Sequence, residues 1–213
     1  MPQRPHSKSD DARDRVLECA EKLFMERGYE SVKLRHIADE LSVRAASLYY
    51  YFPNGKQEMF QAVLLRAMER IRAGLESAIS CADEGLNARL RAAASYFLSQ
   101  PKMDLYRMLE SDLEQVDEED RRGVAEALYG ALQRPLIVVF RDAMPTSGNP
   151  GHGAGSGPPP PSPELLAGSF LASIQAVHHL RSDFRIPVSK EHMAGQVCDV
   201  LAAGVHALAG GCG

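Results

Sequence analysis

Seventeen consecutive residues, Leu41 to Gln57, contain no Asp or Glu, yet they hold Arg44, Lys56 and the run Tyr49-Tyr50-Tyr51-Phe52. Lys33 and Arg35 stand just before this window. Cations and phenol hydroxyls attract phosphate oxygens, and a carboxylate among them would repel the same group. Arg35 and Arg44 each carry a two-donor fork that matches the edge of guanine. Ala45 and Ala46 are small enough for a backbone to sit close to base edges, and their methyl groups suit a thymine methyl. The chemistry this window points to is contact with double-stranded DNA. The aromatic run also has a packing reading. Leu48 and Phe52 are four apart and share one helix face, so those two belong inside. Three successive tyrosines cannot all point inward, so at least one hydroxyl must face solvent or a ligand.

The elements that must carry these residues read as helices. Asp10 to Arg27 places Val16, Ala20, Leu23 and Phe24 on one stripe and stops at Gly28. Lys33 to Leu41 repeats Leu34, Ile37, Ala38 and Leu41, and Arg44 to Tyr51 forms a short third helix. A helix, the pair Ser42-Val43 and another short helix have the spacing of a helix-turn-helix. In that motif the N-terminal residues of the second helix face base edges, here Arg44, Ala45, Ala46 and Ser47. Pro53-Asn54-Gly55 is a turn. A long helix then runs from Lys56 to about Cys81, followed by helices at Leu86–Gln100, Met103–Val116 and Glu118–Ala143. Pro135 lies inside the last of these and is expected to kink it. Ser162, with Pro163 after it, opens a helix to about Ser182, and Ser189 opens a final one to about Leu208. No alternating strand pattern stands out. The expected fold is all-α with about nine helices.

Composition bounds the alternatives. The 213 residues carry 24 Lys plus Arg against 28 Asp plus Glu, a net charge of −4, with 45% hydrophobic and 24% charged residues. This is the profile of a globular protein, with one or two domains expected at this length. No apolar run approaches the length of a membrane span, and residues 1–14 lack the apolar stretch of a secretory signal. A cytoplasmic protein with no membrane association is the expectation. Pro145 to Pro163 holds seven Pro and five Gly in 19 residues and is expected to be a disordered or extended loop. Cys19, Cys81, Cys198 and Cys212 form no CxxC pair and have no His at zinc-ligand spacing, so free thiols are expected. Gly151 to Gly157 lacks the Lys-Ser or Lys-Thr of a phosphate-binding loop, and no GxSxG elbow exists. Catalysis, a bound metal and a cofactor are therefore not expected.

The ordered set Gly28-Tyr29, Leu34 to Val43, Ser47-Leu48-Tyr49-Tyr50-Tyr51-Phe52 and Lys56-Gln57-Glu58-Met59 resembles the DNA-binding domain of the TetR family of bacterial transcriptional regulators. The likeness covers about residues 10–65, and Leu-Tyr-x-Tyr-Phe at 48–52 is its most specific part. The resemblance implies an all-α homodimer: a helix-turn-helix domain at residues 1–55 and a ligand-binding and dimerisation domain at 56–213. It further implies that Arg35 reaches bases from the second helix, that Arg44 to Ser47 and Tyr49 lie on the recognition helix, and that Tyr50, Tyr51 and Lys56 hold phosphates. Three positions depart from the family pattern. Lys33 replaces the usual Thr or Ser cap, with Ser31 as a candidate substitute. Arg44 replaces a small Ser or Thr, which removes a cap and adds a guanine reader. Pro53-Asn54-Gly55 is one residue longer than the common turn, so Lys56 is expected at a slightly different phosphate.

The remaining 150 or so residues share only a helical layout with that family. The last two helices are rich in small residues that permit close helix approach, and Ala167, Gly168, Ala172, Ala176, Ala194, Gly195, Ala202 and Ala203 are the candidate dimer contacts. Packing within one chain explains some of them equally well. For a small-molecule effector the candidates are the Met and aromatic residues Met68, Tyr96, Phe97, Met103, Tyr106, Met108, Leu109, Tyr129, Phe140 and Phe170, with Gln175 and His179. Each could instead be plain core. The expected function is a repressor that binds a palindromic operator as a homodimer and is released by a small apolar molecule. Two alternatives stay open: a DNA-binding protein whose C-terminal domain only dimerises or docks a protein, and a helical carrier or enzyme.

Overall fold

A computed structural model describes residues 8–100, 118–144, 161–180 and 188–210. Among these, eight helices form: α1 (Lys8–Arg27), α2 (Leu34–Glu40), α3 (Ala45–Tyr51), α4 (Lys56–Ser80), α5 (Leu86–Ser99), α6 (Glu118–Ala143), α7 (Pro163–His179) and α8 (Lys190–Gly210). The described residues contain no strand. The helix expected at Met103–Val116 and most of the Pro/Gly tract lie outside the described residues. Pro163 is already the first residue of α7, so the expected loop ends earlier than its composition implies. None of the described helices is long and apolar enough to cross a membrane.

Local chemistry sets the ends. Gly28 terminates α1 with φ 78°, and its N–H donates to the Phe24 carbonyl at 2.9 Å. Ser162 caps α7 by accepting the Leu165 N–H at 3.2 Å, with Pro163 behind it. Ser189 accepts the His192 N–H at 3.2 Å and opens α8. Lys33 and Arg44 occupy the N-cap positions of α2 and α3 and supply no side-chain cap. At α2 only the reach-back half of a capping box is made: the His36 Nδ1 accepts the Lys33 N–H at 3.2 Å. A side chain three residues into a helix reaches back to the cap N–H, as the Glu of a capping box does. Helix α6 runs through Pro135, which is buried.

The helices pack into two compact units. The first holds α1 to α3, α4 as far as Glu69 and α6 as far as Ala127; the second holds the remainder of α4 and α6 with α5, α7 and α8. The first unit closes on Val16, Leu23, Phe24, Ile37, Leu48, Phe52, Met59, Phe60 and Val63. Phe24, Tyr29 and Phe60 meet with ring centroids 4.5 to 5.9 Å apart. Each such buried side chain contributes roughly 1.5–3 kcal/mol. Arg66 of α4 ties down α1 through Asp14 at 3.7 Å and Glu18 at 3.1 Å. The first four turns or so of α4 thus complete the core on which α2 and α3 rest.

In the second unit α5 packs on α7 and α8, and α7 packs on α8. Leu90, Ala93, Phe140, Ala167, Phe170, Ile174, Cys198 and Val205 form its interior. Arg91 of α5 donates to the Asp199 carboxylate of α8 at 2.7 Å, and Asn87 donates to the same oxygen at 2.8 Å. These bonds hold the Asp199 carboxyl below its ordinary range, led by the one from Asn87. Gly195 leaves the room that the Arg91 guanidinium occupies, since a Cβ there would lie 2.6 Å from Nη1.

Candidate nucleic-acid interface

The turn joining α2 to α3 is tight. Ser42 adopts φ 55°, a conformation that costs a non-glycine residue about 1–2 kcal/mol. Ser42 and Val43 donate to the carbonyls of Asp39 at 3.1 Å and Ala38 at 2.9 Å. Helix α3 is anchored by the burial of Leu48 and, just beyond its end, Phe52, as their four-residue spacing requires. That anchoring turns the opposite face outward. Arg44, Ala45, Ala46 and Ser47 are all exposed, and so are Lys33 and Arg35 at the start of α2.

The three tyrosines separate by environment. Tyr50 is 78% exposed and Tyr49 51%, while Tyr51 is half-buried against the core. Tyr50 and Tyr51 meet edge to face at 5.1 Å. Tyr49 rests against Gly55, whose φ is 71°; a Cβ there would lie 3.4 Å from Tyr49 Cε1 and 3.6 Å from Leu34 Cδ1. The Pro53-Asn54-Gly55 turn therefore does more than connect helices. It makes the seat of an exposed phenol.

Lys56 is placed differently from the other cations. Its Nζ donates to the carbonyls of Tyr29 at 2.8 Å and Val32 at 3.0 Å, and it stands 3.9 Å from the Tyr29 ring centroid. The ammonium thus pins the loop between α1 and α2 to the start of α4. The cation is legible in the sequence; this inward engagement is not, because its partners are backbone atoms 24 and 27 residues away. The His36 reach-back was likewise missed, although its position three residues after Lys33 could have shown it. The surface that remains is a cationic and phenolic face on α2 and α3, presented by a packed core. Lys22 and Glu40, 3.4 Å apart, pair α1 with α2 at its flank.

The other candidate residues scatter. Among the dimer candidates Ala167, Ala194, Gly195 and Ala202 are buried within the chain and Gly168 is half-buried, whereas Ala172, Ala176 and Ala203 are exposed. Leu165 and Val200 are exposed apolar residues on the same two helices. Among the effector candidates Met68, Phe140 and Phe170 are buried core residues, Tyr96, Phe97 and Gln175 are half-buried, and Tyr129 and His179 are exposed. Met103, Tyr106, Met108 and Leu109 lie outside the described residues. Two clefts in the second unit have other linings: one of 370 Å³ includes Glu76, Ile79, Pro135 and Val138, and one of 270 Å³ includes Arg91, Ser95, Glu191 and Gly195. Cys19, Cys81 and Cys198 are free thiols, and Cys212 lies outside the described residues. Burial pushes the Cys198 thiol up to about 11. Among the described residues no group of three His, Cys, Asp or Glu is placed to hold a metal ion.

Comparison with known proteins converges on the same segment. Residues 16–63 match the family model described as bacterial regulatory proteins, tetR family. The transcriptional repressor ComR of Escherichia coli is 35% identical over 85 residues, which is 40% of this chain and 39% of ComR. The chain thus spans well under two thirds of the length of the curated relatives it matches. Solved structures extend the likeness of fold to nearly the whole chain. A transcriptional regulator from Pseudomonas aeruginosa superposes with TM-score 0.70 at 18% identity, over 95% of this chain and 93% of its own. The Bacillus subtilis regulator FadR, solved with stearoyl-CoA, gives 0.65 at 19% identity over 91% and 99%. With its helix-turn-helix, its exposed Arg-Tyr face and the sequence match, the segment 16–63 is similar to the DNA-binding part of the tetR family of bacterial regulatory proteins.

Proposed function

We propose that this protein is a transcriptional regulator that binds a palindromic DNA operator as a homodimer and responds to a small molecule, acting as a repressor. The observation that carries the reading is the exposed face of α2 and α3. Arg35, Arg44, Ala45, Ala46, Ser47, Tyr49 and Tyr50 all face outward while Leu48 and Phe52 are buried between them and the core. The match of residues 16–63 to a family of regulatory proteins and the 35% identity to the repressor ComR over 85 residues support it. In this reading Arg35 and Arg44 read guanine, Ala45 and Ala46 take thymine methyl groups, and Lys33 and the tyrosines hold phosphates. Lys56 acts first as the tie that sets the start of α4, and contributes to phosphate binding through that position. Residues 1–55, with Lys56 next to them, carry the DNA contacts, and the rest of 56–213 carries the dimer and effector sites.

Dimerisation is assigned to the exposed sides of α7 and α8. Ala172, Ala176 and Ala203, flanked by Leu165 and Val200, offer a small apolar stripe on which a second copy can close. Two recognition helices must then lie about one turn of DNA apart, roughly 34–36 Å or somewhat more. A molecule that favours a dimer with a different spacing shifts the population off DNA. An apolar effector is the reading supported by the half-buried Tyr96 and Phe97 and by the fold shared with a regulator solved with stearoyl-CoA.

The test is selection of bound duplexes from a random DNA pool, followed by titration at several salt concentrations. Wild-type protein is expected to enrich a palindrome. Arg44→Ala should change the preferred base at one position of each half-site, whereas Tyr50→Phe should weaken all sequences alike. No salt-dependent DNA binding would refute the function, and identical behaviour of the two variants would refute the division into base and phosphate contacts.

A further inference from the structure

Arg13 lies on α1, outside the helix-turn-helix, and its side chain is exposed. Its guanidinium carbon stands 4.9 Å from the centroid of the Phe52 ring. Phe52 closes α3 and directly follows Tyr51, the partner of the exposed Tyr50. Arg13 therefore sits at the edge of the same cationic and phenolic surface, next to the last turn of the recognition helix. A guanidinium over an aromatic ring is held by cation–π attraction, and its in-plane N–H groups point outward as a ready fork for two oxygens. The carboxylates that follow on α1 do not compete for it, because Asp14 and Glu18 pair with Arg66 on α4. If Phe52 needed only a cover, an uncharged flexible side chain would serve. Because Arg13 is exposed, its charge stays open to a partner when the surface is occupied.

We propose that Arg13 is a phosphate clamp that extends the DNA interface from α2 and α3 onto α1, pre-oriented by its stack on Phe52. The inference rests on the proposed DNA-binding function. It assigns Arg13 an affinity role with no base preference, because a phosphate contact carries no sequence information.

The variant Arg13→Met keeps an unbranched apolar cover on Phe52 and removes the charge. Binding of wild type, Arg13→Met and Arg13→Lys to a mixed-sequence duplex is followed by fluorescence anisotropy across a salt series, with thermal melting of each protein as the control. Each lost phosphate contact lowers the slope of log affinity against log salt by about 0.9, hence about 1.8 for a dimer. The expected result is that loss in Arg13→Met, an unchanged slope in Arg13→Lys, and similar melting for all three. A full wild-type slope in Arg13→Met overturns the clamp and leaves the function standing. Wild-type protein that binds no DNA at low salt overturns both.

Discussion

Replacing Lys56 by Met separates two roles that one cation can play. The ammonium makes hydrogen bonds of 2.8 and 3.0 Å to the carbonyls of Tyr29 and Val32 and lies 3.9 Å from the Tyr29 ring centroid. Met keeps most of the aliphatic stem and its packing but supplies no donor. Hydrogen bonds to a charged group contribute about 1.5–3 kcal/mol each, and a partly exposed cation–π contact about 0.5–1. Lys56 is only half-buried, so water can restore part of what the carbonyls lose. The expected cost of Lys56→Met is therefore reduced below that sum of roughly 3.5–7 kcal/mol, to about 2–4 kcal/mol. Against a total stability of roughly 5–15 kcal/mol this is large. Urea unfolding followed by far-UV circular dichroism reads it as a lower midpoint at unchanged slope. DNA affinity is then measured where both proteins are fully folded, and should fall for all sequences alike. A stability loss below about 0.5 kcal/mol would refute the tie.

Three further outcomes follow from particular contacts. Gly55→Ala should destabilise by about 1–2 kcal/mol through its left-handed backbone alone, measured by the same unfolding experiment, and should also disturb Tyr49, whose ring leans on that Cα. Val200→Glu on the exposed side of α8, 71% exposed in the single chain, should convert dimers to monomers in sedimentation while far-UV circular dichroism remains helical. The Cys198 thiol, raised by burial from 9.0 to about 11, favours the folded state fully below pH 9. That contribution should be lost as pH climbs from 9 to 11, because the unfolded thiol ionises first. Comparing unfolding midpoints of wild type and Cys198→Ala over that range checks the sign, and a pH-independent difference would contradict it.

Much of the candidate interface was legible because it is local. The spacing of Leu48 and Phe52 fixes which side of α3 is buried, and the absence of carboxylates from Leu41 to Gln57 fixes the character of what remains. Capping chemistry likewise placed the starts of α7 and α8 at Ser162 and Ser189. The small residues of the last two helices were less readable. A helix surface rich in Ala and Gly suits close approach to any neighbour, and periodicity does not say whether that neighbour is in the same chain. In the fold, Ala167, Ala194 and Ala202 are buried and Gly195 makes room for Arg91, while Ala172, Ala176 and Ala203 stay exposed.

By itself the sequence determined the helical fold, the helix-turn-helix, and the position of its cationic and aromatic window, because each depends on residues within about two turns of one another. Only the tertiary structure decided that Lys56 turns inward to carbonyls on the α1–α2 loop, that His36 takes up the Lys33 N–H at the start of α2, that Gly55 seats Tyr49, and that Arg13 stacks on Phe52. The reason is physical. Periodicity and composition report which groups want burial or water, whereas the partner that satisfies a particular donor or ring is chosen by how distant segments pack.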